Sequence, residues 1–217
     1  MVYSLSQNAD IIVLTEFRNN SNAETLRSSL ATTGFHYFGG TSAAPQENSV
    51  CIFSKQPFVH RTYPELPTSD RHRLISAHFD CVSIYGVYFP LNKAKASLFE
   101  FLRKGGCRPT DGAYFIIGDF NTGLHFQDEH GATFYCTTEF NALLESGLVD
   151  SWRNRHPSTK EFSWYSNRGN GFRIDHAFSN SEADGLIEQV YYDHKPREAK
   201  ITDHSALVIL HLCSHLS

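Results

Sequence analysis

Apolar residues in this chain fall mostly into short runs rich in β-branched and aromatic side chains, which is the pattern of β-strands. We predict strands over residues 11–17, 49–54, 73–79, 82–89, 161–166, 172–179, 187–192 and 205–212, and a further strand that begins at residue 114. Amphipathic stretches predict helices over 22–34, 93–104 and 138–147. Because the helices are interspersed irregularly, the pattern favours mixed α/β sheets over a regular parallel βαβ alternation.

Length and composition narrow the class of protein. A chain of 217 residues without repeats or linkers predicts one domain over 1–217. With 19 basic and 23 acidic residues and a pI near 6.3, the chain lacks the basic excess of a protein that coats nucleic acid non-specifically. This composition still allows a local basic surface. No leader or membrane-spanning run is present, so we expect a soluble protein with no membrane contact.

The five cysteines are odd in number and widely spaced, and no CxxC pair occurs among them. This usage indicates neither a disulfide framework nor a zinc knuckle. Reduced thiols and a cytoplasmic location are the simplest expectation.

The stretch YFIIGDFNTG, residues 114–123, is an apolar run that ends in polar residues. Alternate side chains of a strand leave on the same face, so Asp119 and Asn121 are expected to project together while Phe120 points to the other face. An Asx-type turn after the strand would use the same two residues, and this motif alone does not separate the two interpretations.

Four carboxylates lie near strand ends or strand starts. Glu16 and Asp119 follow apolar runs, whereas Asp175 and Asp203 come at or before the start of theirs. If the later strands run opposite to the earlier ones, all four meet at one rim, together with Asn121, His204 and His176. Such crowding needs a cation or a shifted pKa, and Mg²⁺ or Mn²⁺ is the natural oxygen-bound ion.

Five motifs together resemble the endonuclease/exonuclease/phosphatase superfamily, in particular its exonuclease III-like bacterial branch. In chain order they are DIIVLTEF, YGVYFP, IGDFNTG, RIDHAFS and TDHSALV, and they span nearly the whole chain. The resemblance implies a four-layer sandwich of two mixed β-sheets flanked by helices, with the active site at one rim of the sheets.

The resemblance also implies roles for the matching residues. Glu16 corresponds to a metal-binding glutamate, with a solvated charge at a strand end as the alternative. Asp119 resembles the aspartate that positions or deprotonates the attacking water, and Asn121 its phosphate-contacting partner. Asp203 would serve the metal site, which holds one or two ions, and His204 would contact the scissile phosphate.

Two further residues support that site by resemblance. Asp175 would orient His204 by accepting a hydrogen bond from its ring, which keeps the imidazole protonated near neutral pH. Tyr88 resembles a tyrosine near the phosphate or leaving group, with a core aromatic residue as an equal alternative. His176 faces away from Asp175 along the strand, and packing there is as well supported as function.

Substrate contacts are fainter in the sequence. The Gly- and Asn-rich loop around Arg168, with Phe172, Arg173 and Trp164 beside it, could offer basic and aromatic contacts to a nucleic acid strand. A plain flexible hairpin loop is the competing interpretation. Lysines 93 and 95 suggest either a DNA contact or a solvated helix face. The cluster HFQDEH, residues 125–130, matches no metal-ligand spacing and reads as a polar loop.

The combined prediction is a Mg²⁺- or Mn²⁺-dependent phosphodiester hydrolase, with DNA as the main candidate substrate, abasic sites among the candidate lesions and DNA repair as the role. The alternatives are a small-molecule or lipid phosphatase or phosphodiesterase, and a catalytically silent binding protein with the same fold.

Relatives begin with another strand that carries an Asn-containing metal-site motif, and only five residues precede Ser6 here. The sequence therefore predicts a domain truncated at its N-terminus, with exposed strand edges, weaker metal binding and possible oligomerisation.

Overall fold

The computed structural model describes residues 9–106 and 112–211. In those ranges the strands are β1 (Ile11–Phe17), β2 (Tyr37–Gly40), β3 (Ser49–Ser54), β4 (Val59–Thr62), β5 (Leu74–His78), β6 (Val82–Tyr88), β7 (Ala113–Asp119), β8 (Val149–Asp150), β9 (Trp164–Tyr165), β10 (Gly171–Phe172), β11 (Asp175–Ser179), β12 (Ile187–Asp193) and β13 (Ala206–His211). The helices are α1 (Ser21–Ala31), α2 (Ala96–Arg103), α3 (Thr137–Glu145), α4 (Ser151–Arg155), α5 (Ser181–Gly185) and α6 (Lys195–Glu198), and a 3₁₀ turn spans Asn92–Lys95.

Most of these strands belong to two sheets. The larger has the order β4-β5-β6-β7-β11-β8, in which β6 and β7 are parallel and the other neighbours are antiparallel. The smaller has the order β1-β3-β2 and is antiparallel. Two antiparallel pairs, β9 with β10 and β12 with β13, complete the strands of the described part.

The two sheets pack face to face and helices cover their outer faces. Val50 and Ile52 of β3 contact Ile75 of β5 and Ile84 of β6 in the cluster between the sheets. Tyr85, the next residue of β6, points to the opposite face, where α2 and α3 pack. On the other side, α1 covers the smaller sheet through a separate apolar cluster. The four-layer sandwich predicted from the sequence is confirmed.

Several predicted elements have the expected bounds, and others differ. Strands β1 and β3 match exactly, and the hairpin predicted over 73–89 is the pair β5 and β6. The predicted helix over 93–104 begins as a 3₁₀ turn. The predicted strand over 172–179 is broken between β10 and β11, because Phe172 pairs with β9 whereas Asp175 pairs with β7.

The cysteines differ from the sequence prediction. Cys81 is disulfide-bonded, while Cys51 and Cys136 are free. The expectation of reduced thiols is therefore wrong for Cys81, and the predicted cytoplasmic location loses the support that it drew from the cysteines.

Within the described ranges the smaller sheet ends at β1 and β2, which each pair only with β3, and the larger sheet ends at β4 and β8. The predicted oligomerisation has no support in the structure, and the prediction of a truncated N-terminus concerns residues outside the described ranges and stays a prediction. No helix within residues 9–106 and 112–211 is both long and apolar enough to cross a membrane.

Candidate active site

Three predicted site residues form a row across the larger sheet. Tyr88 ends β6 and is in register with Asp119, the last residue of β7, in the parallel pair. Asp175 opens β11 and is in register with Asp119 from the antiparallel side. The opposite direction of β11 is what brings the start of one strand beside the ends of two others, as the sequence predicted.

Glycine before Asp119 allows β7 to approach β6 closely. Gly118 has φ of +150°, and a Cβ at this position would lie 1.9 Å from the carbonyl oxygen of Val87. Any side chain here would push the two strands apart. The glycine of the GDFN motif therefore sets the distance between Tyr88 and Asp119.

A left-handed turn places Asn121 beside Asp119. Asn121 has φ of +51°, and its backbone N–H donates to Asp119 Oδ1 over 2.7 Å. Its side-chain Nδ2 donates to Asp119 Oδ2 over 3.0 Å and to the carbonyl oxygen of Phe89 over 2.8 Å. Phe120 is buried and stacks on Phe89, with ring centroids 4.7 Å apart. The two polar residues thus project together through an Asx-type turn rather than through strand alternation alone.

Asp119 is a buried carboxyl among like charges. Burial and the negative charge of Asp175 raise the pKa of Asp119 well above its usual range, with a smaller contribution from Glu16. The positive charge of His204 and the N–H of Asn121 act in the opposite direction. A raised pKa makes the ionised form of Asp119 a stronger base, which suits a group that takes a proton from water.

Asp175 holds His204 in its charged form. The Nδ1 atom of His204 lies 2.8 Å from Asp175 Oδ2. Burial disfavours the imidazolium, but attraction to Asp175, Asp119 and Asp203 prevails and raises the pKa of His204 to about 10. The imidazolium therefore persists at neutral pH, and its Nε2–H remains as a donor to an anion.

Glu16 belongs to β1 of the smaller sheet. The pairing of β1 with β3 shifts register between Leu14 and Phe17, and Glu16 has φ of +55° at this bulge. A non-glycine residue in this conformation is strained, and such strain is common at functional sites. The hydroxyl of Tyr88 donates to Glu16 Oε1 over 2.9 Å, which links the two sheets at the rim. Burial is the main cause that raises the pKa of Tyr88, so the phenol stays protonated.

Asp203 is exposed and accepts a hydrogen bond from Trp164 Nε1 at 3.1 Å. Within the part of the chain that the structure describes, no group of three or more His, Cys, Asp or Glu side chains is arranged to hold a metal ion. Glu16 and Asp203 therefore remain predicted ligands, each held by an aromatic neighbour.

Of the four predicted substrate residues, Arg168, Phe172 and Trp164 are at least partly accessible and Arg173 is not. Arg168 is exposed, and Phe172 is half-buried against Trp164, with ring centroids 5.7 Å apart. Arg173 is completely buried, and its guanidinium donates to Asp128 and Asp150. The structure does not bring Arg173 to the surface, because these two carboxylates hold it inside.

His176 also lies inside the protein. Its Nε2 atom is 2.8 Å from the carbonyl oxygen of Thr122, and its ring contacts Phe120 and Phe140. Of the two interpretations that the sequence left open for His176, the structure shows packing.

Lys95 is a neighbour of the site, whereas the sequence suggested for it either a DNA contact or a solvated helix face. It is buried, and its Nζ donates to the backbone carbonyl of Asn121. Burial lowers the pKa of Lys95 to about 8, and the charges of Cys136 and Asp119 oppose that effect. No local signal separates Lys95 from the exposed Lys93, because only the tertiary contact buries one of them.

Comparison with known proteins identifies the family of this arrangement. Residues 4–204 match the model of the Endonuclease/Exonuclease/phosphatase family. No curated protein matches the chain.

Solved structures share the fold. The 3′-5′ exonuclease NExo from Neisseria meningitidis is 26% identical, with a TM-score of 0.81 over 95% of this chain and 91% of that one. A 3′ phosphatase NExo from Neisseria, bound to a product DNA hairpin, is 24% identical, with a TM-score of 0.82 over 97% and 92%. An AP endonuclease from Archaeoglobus fulgidus is 21% identical, with a TM-score of 0.84 over 97% and 92%.

Proposed function

The chain belongs to the Endonuclease/Exonuclease/phosphatase family, and on this premise we propose that it is a hydrolase that cleaves phosphodiester bonds in DNA. The observation that carries the proposal is geometric: at one rim the buried carboxylate of Asp119 lies in register with Asp175, which holds His204 in its charged form. Hydrolysis of a phosphoester needs both a proton acceptor for water and a donor to the phosphoryl oxygen.

In this mechanism Asp119 takes the proton of the attacking water, and Asn121 fixes the orientation of the Asp119 carboxylate through two hydrogen bonds. His204 donates its Nε2–H to a phosphoryl oxygen, where negative charge grows in the transition state. Asp175 orients His204 through Nδ1 and keeps it protonated. Tyr88 presents its hydroxyl beside Asp119, anchored on Glu16.

A hard divalent cation, Mg²⁺ or Mn²⁺, fits the donor chemistry of the site. The carboxylates of Asp175 and Glu16 both raise the pKa of Asp119, so the site carries excess negative charge that a cation would offset. Magnesium is commonly held by one or two carboxylates together with waters and substrate phosphate. Glu16 and Asp203 would supply the carboxylates. When bound, the ion would polarise a phosphoryl oxygen.

The two NExo structures favour DNA as the substrate. One is described as a 3′-5′ exonuclease, and the other is bound to a product DNA hairpin. A place in DNA repair follows if the cleaved strand carries an abasic site or a blocked 3′ end. The acidic pI favours the alternative of a small phosphoester substrate. The experiment must therefore distinguish a DNA substrate from a small phosphoester.

The experiment is a panel of four substrates assayed with Mg²⁺, with Mn²⁺ and with excess chelator: an abasic-site duplex, a plain duplex with a recessed 3′ end, a 3′-phosphate duplex and a bis-aryl phosphodiester. We expect metal-dependent cleavage of at least one DNA substrate. Cleavage of the bis-aryl compound alone would point to a small-molecule phosphodiesterase. Failure to cleave any substrate would indicate a binding protein.

Asp119→Asn supplies the control for this panel. The amide keeps the shape of the side chain but cannot accept the proton of water, so we expect a loss of at least about a hundredfold in turnover with an unchanged fold. Near-parental turnover in this variant would contradict the role of Asp119.

A further inference from the structure

A continuous series of ring contacts begins at His204 in the candidate active site and ends at Phe126, whose ring centroid lies 6.4 Å from that of His125. Its first ring is His204, followed by Trp164 at 6.5 Å between centroids and Phe172 at 5.7 Å from Trp164. Phe134 lies 5.6 Å from Phe172, and His125 stacks on Phe134 at 6.4 Å with 14° between the ring planes. We call the series of His204, Trp164, Phe172, Phe134, His125 and Phe126 the aromatic ribbon.

The outer half of the aromatic ribbon, Phe134, His125 and Phe126, belongs to a loop that the buried carboxylate of Glu129 holds through hydrogen bonds. Glu129 is 1% exposed, and its oxygens accept hydrogen bonds from the backbone N–H groups of Thr133 and Phe134, at 2.8 Å and 3.1 Å. The Nδ1 atom of His125 also lies 2.8 Å from Glu129 Oε1. Glu129 forms an isolated bridge with Phe172, which joins the loop to β10. The rings are therefore held in place before any ligand arrives.

The end of the aromatic ribbon has features that packing does not explain. Phe126 is 63% exposed and has φ of +62°, a backbone conformation that costs free energy for a bulky residue. Its N–H donates to the carbonyl oxygen of Gly131 over 3.0 Å, which locks this conformation. A phenylalanine that is both strained and solvated contributes little to the core, so its ring is available for contact with another molecule.

Stacking suits this surface better than phosphate binding does. The chain has a net charge of −4, and the ring-bearing residues of the ribbon other than histidine are uncharged. Exposed aromatic rings in series bind successive unpaired bases because every base has a π-face. The position of His204 at the inner end places such bases beside the phosphate that reacts.

We propose that the aromatic ribbon is a platform on which unpaired bases of the substrate strand stack, so that the strand extends from His204 towards Phe126. The proposal rests on the proposed function and adds to it the class of substrate: a strand with several unpaired nucleotides next to the reacting phosphate. The phosphate contacts are made at the active site, and the ribbon reads the bases without sequence preference.

The test compares two fluorescently labelled oligonucleotides of equal length in equilibrium binding. One carries normal bases, and the other is a continuous abasic sugar-phosphate strand with the same charge. We expect the base-bearing strand to bind roughly 5- to 100-fold more tightly. Because salt screens phosphate contacts but not stacking, the ratio of the two affinities is expected to persist as salt is raised.

Variants at the exposed end assign the effect to the ribbon. Phe126→Ala and Phe126→Leu both remove the aromatic ring, although Leu keeps an apolar side chain. Both variants are therefore expected to reduce the preference for the base-bearing strand. Phe126→Trp keeps an aromatic ring and is expected to keep the preference. Tyr37→Ala is the matched control. Tyr37 is exposed on β2 and is in register with Ser54 of β3. Ser54 is also in register with Ile11, the first residue of β1, so Tyr37 lies at the end of the smaller sheet opposite to Glu16.

The outcomes separate this proposal from the proposed function. Equal affinity for the two strands, with unchanged binding in Phe126→Ala, would overturn the stacking platform while cleavage of DNA in the substrate panel would still stand. No binding to either strand, together with no cleavage of DNA, would overturn both. A loss of preference in Tyr37→Ala equal to that in Phe126→Ala would also overturn the platform.

Discussion

Replacing Arg173 tests whether a basic residue beside the active-site strand binds substrate or holds the fold. The guanidinium is completely buried; Nε donates to Asp128 Oδ1 over 2.7 Å, and Nη2 and Nη1 donate to the two oxygens of Asp150 over 2.7 Å and 3.1 Å. Arg153 donates to the same Asp128 oxygen over 2.8 Å. Arg173 is thus the centre of a buried ionic network directly before Ile174 and Asp175.

Arg173→Met keeps a similar length but removes the charge from between the two carboxylates. Asp128 retains Arg153, whereas Asp150 is left without its guanidinium partner. Breaking a buried ion pair in this way costs about 3–5 kcal/mol, which is a large part of the roughly 5–15 kcal/mol that stabilises an ordinary domain. In urea unfolding, with a slope of about 1–3 kcal/mol per molar, we expect the midpoint to fall by more than about 1 M.

Two further variants sharpen the measurement. Arg168→Ala, at an exposed loop position, is expected to change the free energy of unfolding by less than about 0.5 kcal/mol. The double variant Arg173→Met with Asp150→Asn is expected to recover part of the loss, because the unpaired buried charge is removed with its partner.

The same network predicts a pH dependence of stability. Burial by itself raises the pKa values of Asp128 and Asp150, but the charge of Arg173 prevails and holds both below their usual range. Groups with a lowered folded pKa contribute stability above the ordinary Asp pKa of about 3.9 and lose it as the pH falls towards the lowered value. Arg173→Met is therefore expected to flatten the loss of stability in acid. An Arg173→Met protein with parental stability but weakened DNA binding would refute this reasoning and restore Arg173 as a substrate residue.

Three other predictions concern the active site. Asp175→Asn removes the attraction that raises the pKa of His204 to about 10, so that pKa should fall towards its ordinary value in an NMR titration of the ring; an unchanged titration would contradict the pairing. Lys95→Met removes the buried donor to the Asn121 carbonyl and is expected to lower kcat by up to about a hundredfold through misplacement of the turn, with little change in KM; the reverse pattern would make Lys95 a substrate contact. Exhaustive chelation is expected to abolish hydrolysis and added Mg²⁺ or Mn²⁺ to restore it, whereas full activity without metal would remove the ion from the mechanism.

Much of the fold could be predicted because hydrophobic periodicity reports which face of an element is buried. Residues 11–14 of β1 and 50–53 of β3 are unbroken apolar runs, and the predicted bounds of both strands match the structure. The short strands β2 and β4 were missed. All residues of β4 are exposed, and β2 contains two glycines, so neither has the alternation that reveals a half-buried strand.

The candidate site could be proposed from the sequence because its residues lie near strand ends and match the motifs of the family. The opposite direction of β11 relative to β7, which the sequence analysis had to assume, brings Asp175 beside Asp119. The left-handed turn that turns Asn121 back onto Asp119 was only one of two interpretations. The structure supplies the deciding backbone angle, a φ of +51° at Asn121.

Tertiary structure alone decided which charged residues are inside. Arg168 and Arg173 flank one loop and look equivalent in the sequence, yet one is exposed and the other is buried between Asp128 and Asp150. Local periodicity carries information on neighbours three or four residues away, whereas the burial of a charge depends on partners that are distant in the chain, since only a paired charge can leave water at tolerable cost. The sequence therefore determined the layers of this protein and the carboxylates of its rim, and the packing of the chain decided which of its cations support that rim from within.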